Sequence, residues 1–324
     1  MSKSISKEAL SSLQKTVGKA NISTLGENVN SDIARRPTGS ISLDYVTGGG
    51  FPVGKIVELY GPESSGKTST TIHAIIEEQR AGGVAAIIDA EHAFDKRYAS
   101  KLGVDVDNLI ISQPDTGEEA LNITKALIET EEVGLIVIDS TNALVPKAEL
   151  EGDVDDPSMA LQARMLSKGL RMLKGAANTH NCTLIFISQT RSKIGPYGGQ
   201  AVGVGNAMKF YASIRINIKK SQPLMDGGIA IGHTLQFEAK KNKTATPYRV
   251  GETFLRYGHG YDRVGELLEY GVQLGIIDKK GSWYAYAGSN LAQGAEKSVA
   301  LLKDNPELLE EIEKQVIEGL KNQD

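Results

Sequence analysis

The sequence predicts an α/β protein built on a doubly wound, mostly parallel central sheet. Continuous apolar runs, each ending in a polar residue, alternate with segments of helical periodicity. Runs that are apolar throughout are typical of parallel strands buried on both faces. A glycine-rich turn, GPESSGKTST from Gly61 to Thr70, joins one such run to a helix. Because ligands of such sheets bind at the carboxyl ends of the strands, the polar residues there form the candidate site.

Predicted strands and predicted helices alternate along the chain. The predicted strands are KIVELY, VAAIIDA, GLIVIDS and TLIFISQ, at residues 55–60, 84–90, 134–140 and 183–189. The predicted helices between them span residues 68–80, 117–131 and 158–179, where apolar side chains recur at helical spacing.

Two further regions flank this core, which we place at residues 34–262. Residues 4–20 predict a helix with an apolar stripe of Ile5, Ala9, Leu13 and Val17 beside Leu10. Nothing nearby in sequence covers that stripe, so it must pack on the main body or on another chain. Residues 263–324, with GELLEYGVQLGIID, WYAY and a charged helix at 305–320, predict a small α+β domain.

Composition limits the classes of function. The 324 residues are 40% hydrophobic and 23% charged, as in a folded globular protein, and the net charge is −4. A nucleic-acid site would therefore be a local basic patch. The one cysteine, Cys182, lies in an apolar run and predicts a buried thiol in a reducing cytosol. No signal peptide and no apolar run of about 20 residues is present, so we expect a cytoplasmic protein and no membrane partner.

The glycine-rich turn matches G-x-x-x-x-G-K-[ST] in full and lies between a predicted strand and a predicted helix. Such a loop wraps phosphates with backbone N–H groups, while Lys67 reaches the terminal phosphates and Thr68 binds Mg²⁺. An ordinary strand-to-helix turn is the alternative. The predicted nucleotide-binding residues of this loop are Gly61, Pro62, Glu63, Ser64, Ser65, Gly66, Lys67, Thr68 and Ser69.

Three polar residues at other strand ends complete the predicted site. Asp139 is placed to bind Mg²⁺ with Thr68, although a helix N-cap is the alternative. Glu91 is the best candidate to activate a water molecule, with a solvated loop carboxylate as the alternative. Gln189 either senses a γ-phosphate through its amide or serves as a hydrogen-bonded core amide.

Two loops follow neighbouring strands. The stretch 190–206 is glycine-rich, carries Arg191 and Lys193 at its entry and contains Tyr197, a composition that suits single-stranded nucleic acid. A mobile lid is the alternative. The acidic loop 149–158 precedes a helix on which Arg164, Lys168 and Arg171 share one face. That row of cations is either a phosphate-contacting face or simply a solvated one.

Nine strings together resemble the bacterial RecA recombinase family almost from end to end: GPESSGKTST, IIDAEHAFD, ISQPDTGEEAL, LIVIDS, SKIG, NAMKFYASIR, KNKTATPY, WYAY and LKDNPE. The resemblance implies a RecA-type phosphate-loop core and an N-terminal polymerisation arm at residues 1–33. It also implies a DNA-dependent ATPase that forms helical filaments on single-stranded DNA. With ATP and Mg²⁺ it would pair that strand with homologous double-stranded DNA, in DNA repair and the SOS response, together with single-strand-binding and mediator proteins.

The resemblance also implies roles for individual residues. Glu91 would activate water, Gln189 would sense the γ-phosphate, and Asp95 and Tyr98 would hold the adenine. Lys241 and Lys243 would reach ATP across a subunit interface. The DNA-contacting positions would be Met159, Arg164, Ser167, Arg171 and Asn206, in and around the two loops.

The sequence departs from the family pattern at three places. Ser188 precedes the sensor where the family usually has asparagine, and the second loop is shorter than usual. The divergent loop suggests a phage or mobile-element version. The chain ends in KNQD without a long acidic tail, so we expect less autoinhibition of duplex binding. A ring-forming DNA motor and an ATP-gated regulator are the alternative functions on the same core.

Overall fold

The computed structural model describes residues 5–17, 22, 33–153, 159–192, 200–202 and 206–322. They fall into two compact units, residues 1–34 and 35–324. The first contains helix α1 (Lys7–Val17), whose first turn is capped by Ser6 through Oγ and the N–H of Ala9, 3.2 Å apart. The predicted helix is thus observed within 7–17, and the predicted residues 18–20 lie outside the described part. All four residues of the predicted stripe are exposed, whereas Leu10 is buried.

The second unit contains the remaining elements. Its strands are β1 (Arg35–Arg36), β2 (Phe51–Pro52), β3 (Ile56–Gly61), β4 (Val84–Asp89), β5 (Ile110–Ser112), β6 (Val133–Asp139), β7 (Thr183–Ser192), β8 (Gln200–Val202), β9 (Ile214–Asp226), β10 (Ile229–Asn242), β11 (Val250–Arg256), β12 (Gly260–Tyr261), β13 (Ile277–Lys280), β14 (Trp283–Tyr286) and β15 (Ser289–Gln293). Its helices are α2 (Ile41–Thr47), α3 (Lys67–Arg80), α4 (Lys96–Leu102), α5 (Gly117–Glu129), α6 (Lys147–Leu150), α7 (Met159–Thr179), α8 (Ala207–Tyr211), α9 (Arg263–Gln273), α10 (Ala295–Lys303) and α11 (Pro306–Lys321).

The central sheet has the strand order β12-β11-β10-β9-β3-β7-β6-β4-β5, and β8 pairs with β7. The six strands from β9 to β5 in that order are mutually parallel, and β10, β11 and β12 extend the sheet in antiparallel fashion. The prediction of a mostly parallel, doubly wound sheet is confirmed. Among the described residues, no helix is both long and apolar enough to cross a membrane.

The sheet is buried on both faces, as its continuous apolar runs predict. Alternate residues of one strand enter two different cores, because successive side chains of a strand point to opposite faces. In β7, Ile185 and Ile187 join one core, while Leu184 and Phe186 join the other. Each fully buried side chain of this size contributes about 1.5–3 kcal/mol to folding. Cys182 is buried in the second core, and its burial raises the pKa of the thiol to about 12, as expected of an inert thiol.

Both predicted loops contain regular structure within their described residues. Strand β7 continues to Ser192, and β8 pairs with it from Thr190↔Val202 to Ser192↔Gln200. The base of the second loop is therefore an antiparallel hairpin. The first loop begins inside α6, a single turn that ends at Leu150. Residues 154–158, 193–199 and 203–205 of the two loops lie outside the described residues.

One buried carboxylate of the small C-terminal region binds the start of helix α2. Glu266 of α9 accepts hydrogen bonds from the N–H groups of Ile41 and Ser42, at 2.6 and 3.3 Å. The hydroxyls of Ser40 and Thr253 also donate to it. Burial raises the pKa of Glu266 to about 7, and the donated hydrogen bonds act against that shift. Glu266 therefore caps α2 from another part of the chain.

Acid should weaken the fold through His73 of α3. Its Nε2 accepts the N–H of Tyr261 at 2.9 Å, and burial lowers the pKa of His73 from 6.5 to about 4. The unfolded chain therefore takes up this proton below about pH 6.5, and the folded protein only near pH 4. The contribution to stability is complete above pH 6.5 and should fall by roughly 3 kcal/mol as the pH drops through this window.

The variant His73→Gln keeps an acceptor for Tyr261 and does not titrate. Its free energy of unfolding, measured by urea denaturation at several pH values, should decline less between pH 6.5 and pH 4 than that of the wild type. Equal declines would show that His73 does not carry this acid sensitivity.

Candidate functional site

The register of the parallel strands brings the predicted site residues to one edge of the sheet. Gly61 at the end of β3 pairs with Gln189 of β7, and Asp89 at the end of β4 pairs with Asp139 at the end of β6. Asp139 and Gln189 are themselves two of these positions, the glycine-rich loop begins at Gly61, and Glu91 lies two residues after Asp89. The carboxyl edge of the sheet therefore holds one cluster, as the sequence predicts.

The glycine-rich loop has the backbone that a phosphate-binding loop requires. Gly66 has φ +88° immediately before α3, a conformation that strains any residue with a Cβ. A Cβ on Gly61 would lie 2.1 Å from the carbonyl oxygen of Ile218, so only glycine fits there. The loop thus leads directly into the amino end of α3, where free N–H groups and the helix dipole favour an anion.

Lys67 is the first residue of α3 and is buried. Its Nζ donates to the carbonyl oxygens of Pro62 and Gly61, at 2.6 and 3.2 Å. Burial lowers the pKa of Lys67, while the nearby Asp139, Glu91 and Glu63 act against that shift. The ammonium group is thus held inside the curve of the loop, where phosphate oxygens would replace the carbonyl oxygens as its partners.

Thr68 and Asp139 lie side by side, with the hydroxyl of Thr68 donating to Oδ2 of Asp139 at 2.9 Å. Burial raises the pKa of Asp139 to about 6; the hydrogen bond from Thr68 acts against the shift, and the charges of Glu91 and Asp89 add to it. A divalent cation would relieve this buried negative charge. Hydroxyl and carboxylate oxygens are also the protein ligands that Mg²⁺ takes, so the pair fits the ion.

Glu91 is held by two donors on neighbouring strand ends. Its Oε1 accepts the hydroxyl of Ser140 at 2.5 Å and the side-chain amide of Gln189 at 2.9 Å. The backbone N–H of Gln189 is itself bound by Oδ1 of Asn142 at 2.8 Å. Gln189 therefore contacts the predicted water-activating residue rather than a distant core group. Glu91 remains exposed, so water reaches it.

Asp95 and Tyr98 lie at the start of α4, beside the loop helix. Asp95 is the N-cap of α4 and accepts the N–H groups of Arg97 and Tyr98, at 2.9 and 3.0 Å. The hydroxyl of Tyr98 lies 3.3 Å from that of Ser69 in α3. The phenol of Tyr98 therefore ends beside Ser69, the last of the predicted loop residues.

Lys241 and Lys243 are not part of this cluster. Lys241 pairs in register with Arg215 of β9, and the N–H of Lys243 donates to the carbonyl of Ser213, just before β9 begins. The N–H of Ser213 in turn donates to the carbonyl of Ile56, the first residue of β3. The phosphate loop follows the other end of β3, about 16 Å away along a six-residue strand. The two lysines therefore lie towards the amino edge of the sheet.

Helix α7 has the two faces that its sequence predicts. Leu166, Leu170 and Leu173 are buried, whereas Arg164 and Arg171 are exposed. Nε of Arg171 donates to the hydroxyl of Tyr211 at 3.3 Å. This bond, and after it a hydrogen bond from Ser167, lowers the pKa of the Tyr211 phenol. Asn206 directly precedes α8.

Two of the other predicted DNA-contacting positions lie in regular structure. Met159 opens α7, and Arg191 lies in the hairpin of β7 and β8. Lys193 and Tyr197 lie outside the described residues. Two site residues were missed from the sequence, namely Ser140 and Asn142. The polar run STN directly after Asp139 was the available signal.

The fold and this cluster define a nucleotide-binding α/β protein of the phosphate-loop class. A family model of the RecA N-terminal domain matches residues 3–262, and one of the RecA C-terminal domain matches residues 265–321. A RecA protein of Porphyromonas gingivalis is 50% identical over 317 residues, which are 97% of this chain and 93% of that protein. One of Bacteroides thetaiotaomicron is 50% identical over 311 residues, 95% of this chain and 94% of that protein. One of Nocardioides sp. is 47% identical over 315 residues, which are 96% of this chain and 90% of that protein.

The chain belongs to the RecA family, the recombinases of homologous recombination and DNA repair. The resemblance stated from the sequence is thereby confirmed. The match to both domains does not favour a ring-forming motor or an ATP-gated regulator.

Proposed function

We propose that this chain hydrolyses ATP in a reaction that single-stranded DNA stimulates, within a filament of identical subunits in the cytoplasm. One observation carries the proposal: Glu91 is hydrogen-bonded to Gln189 at the same strand edge as Lys67 and the Thr68–Asp139 pair. Gln189 also begins the strand segment that leads into the glycine-rich second loop. A DNA-induced movement of that loop would therefore reach Glu91 directly.

We assign the following roles to the residues of this cluster. The loop N–H groups and Lys67 bind and orient the phosphates, and Tyr98 with Asp95 accommodates the adenine. Thr68 and Asp139 would hold Mg²⁺, whose charge would stabilise the β- and γ-phosphate oxygens. Glu91 accepts a proton from the attacking water. Gln189 senses the γ-phosphate, and its position in turn affects the second loop. Positioning and charge stabilisation supply most of the rate in such sites.

DNA would bind on the exposed side of α7 and in the two loops. The exposed side chains of Arg164 and Arg171, with Ser167 between them, would contact phosphates, while the second loop contacts bases. Arg191, Lys193, Tyr197, Met159 and Asn206 belong to the same proposed surface. Lys241 and Lys243 would complete the ATP site of a neighbouring subunit, so that assembly and hydrolysis are coupled. We also propose that residues 1–33 form a polymerisation arm, residues 34–262 the ATPase core and residues 263–324 a C-terminal domain.

The test is phosphate release at saturating ATP and Mg²⁺, with and without oligo(dT). We expect DNA to raise the rate at least about tenfold, equivalent to ~1.4 kcal/mol of barrier. The variant Arg164→Ala/Arg171→Ala should need more DNA for half-maximal stimulation, because it lacks two phosphate contacts. The slope of log affinity against log salt concentration should also be smaller in magnitude by about 1.4, because each of the two lost phosphate contacts on a single strand contributes ~0.7.

The matched control is Lys314→Ala/Lys321→Ala, which removes the same charge from α11 of the C-terminal region. It should behave as the wild type does. Hydrolysis that is indifferent to DNA in the wild type would contradict the proposed function. Equal effects of the two double variants would contradict only the proposed binding face.

A further inference from the structure

Each of the three side chains that follow Asp139 contacts a different residue in or beside the proposed ATP-hydrolysing cluster. Ser140 donates to Oε1 of Glu91 at 2.5 Å, and the hydroxyl of Thr141 lies 2.9 Å from that of Ser188. Asn142 accepts the backbone N–H of Gln189 at 2.8 Å. Thr141 and Asn142 belong to a 3₁₀ turn at Thr141–Ala143. We call residues 140–142 the bridging turn, because it connects Asp139 to Glu91 and Gln189 at once.

The hydrogen bond that the N–H of Gln189 donates to Asn142 lies where β7 changes its pairing partners. The parallel pairing of β7 with β6 ends at Ile138↔Phe186, and its pairing with β3 ends at Gly61↔Gln189. The antiparallel pairing with β8 begins one residue later, at Thr190↔Val202. The N–H of Gln189 thus lies at the junction between the rigid sheet and the hairpin of the second loop. Asn142 satisfies this group, and so fixes the path of the backbone from which the Gln189 side chain reaches Glu91.

The bridging turn is also tied to helix α7. Nε2 of Gln162 lies 3.0 Å from the carbonyl oxygen of Leu144 and 3.4 Å from those of Thr141 and Asn142. Gln162 lies in the first turn of α7, two residues before the exposed Arg164. Thr141 and Ser188 are fully buried, so the turn has little room to move independently of its partners. A displacement of α7 would therefore be passed to Asn142 and on to Gln189.

We propose that Asn142 is a positioning residue for the Gln189 sensor, and that Gln162 connects it to the first DNA loop and α7. This inference rests on the proposed function and deepens it. DNA on the second loop would act on Gln189 through β7, and DNA on the first loop would act on the same residue through Gln162 and the bridging turn. DNA binding at either loop would then change the same hydrogen bond, the one that Gln189 donates to Glu91.

Two variants of equal size separate positioning from simple packing. Asn142→Leu removes the acceptor, and Asn142→Asp keeps it. We expect the DNA-stimulated kcat of Asn142→Leu to fall about tenfold, the effect of one misplaced hydrogen bond, with the KM for ATP within about twofold of the wild type. Asn142→Asp should recover most of the stimulated kcat. A role in stability alone would move the Tm of the variant and leave this kcat unchanged.

The route through α7 is tested by a double-mutant cycle of Asn142→Leu with Gln162→Leu. If both residues act on one path, the double variant should lose no more stimulation than Asn142→Leu alone. Additive losses would overturn the connection through Gln162. Full stimulation of Asn142→Leu, or equal loss in the Leu and Asp variants, would overturn the positioning role. A wild type that DNA does not stimulate would instead contradict the proposed function, and the coupling with it.

Discussion

Glu91→Gln should reduce DNA-stimulated ATP hydrolysis by about 10²–10⁴-fold, the usual contribution of a positioned general base. The variant should still bind ATP and assemble on single-stranded DNA. Glutamine at this position keeps an oxygen that can accept from Ser140 and Gln189, which now donate to Glu91 Oε1 at 2.5 and 2.9 Å. Only the capacity to take a proton from water is lost. Single-turnover phosphate release measures the chemical step, and fluorescence anisotropy of labelled oligo(dT) measures assembly.

The matched control is Glu132→Gln, which removes one exposed carboxylate just before β6 begins, at the opposite edge of the sheet. It should hydrolyse ATP at the wild-type rate. A Glu91→Gln protein that hydrolyses ATP normally would mean that another group activates the water. A variant that no longer binds ATP would mean that Glu91 serves mainly to keep the loop in place.

Lys241→Ala/Lys243→Ala should lower hydrolysis by about 10³-fold or more, the contribution of a cation supplied to a phosphoryl-transfer site by a neighbour. The reason lies in the register of the sheet. Lys241 pairs with Arg215, and Lys243 bonds to Ser213 beside the start of β3, whereas the phosphate loop follows the end of β3. These lysines therefore cannot serve the site of their own chain without a large rearrangement. The control Lys219→Ala/Lys220→Ala removes two cations from β9 and should retain activity.

Mixing two inactive proteins tests the same hypothesis in another way. In a head-to-tail assembly each site would take Glu91 from one subunit and the lysine pair from the next. An equal mixture of Glu91→Gln and Lys241→Ala/Lys243→Ala should then regain roughly a quarter of the wild-type activity, since random assembly makes that share of the interfaces intact. A mixture without activity would show that both contributions come from the same chain.

The sequence predicted the parts of the site that follow from strand ends. Apolar runs fixed the strands β3, β4, β6 and β7, and parallel strands necessarily bring their carboxyl ends to one edge. Thr68, Glu91 and Asp139 could therefore be grouped from the sequence. The loop pattern identified Lys67 independently, because each of its positions has a physical role in phosphate binding.

The contacts that join these residues could not be predicted from the sequence. Asn142 reaches Gln189 only because β6 stops pairing with β7 at Phe186, and no local pattern sets that register. The hairpin at the base of the second loop was missed, since a glycine-rich segment gives a weak strand signal.

The carboxylate of Glu266 limits how modular the small C-terminal region can be. Its partners, Ser40, Ile41, Ser42 and Thr253, all precede the sequence position at which that region begins. A chimaera that takes residues 263–324 from a relative would import a new α9 but keep these old partners. The N–H donors of Ile41 and Ser42 belong to the backbone, whereas those of Ser40 and Thr253 are side-chain hydroxyls. Such an exchange should therefore succeed only between sequences that keep a hydroxyl at positions 40 and 253, and these two residues are expected to be inherited together with the C-terminal region.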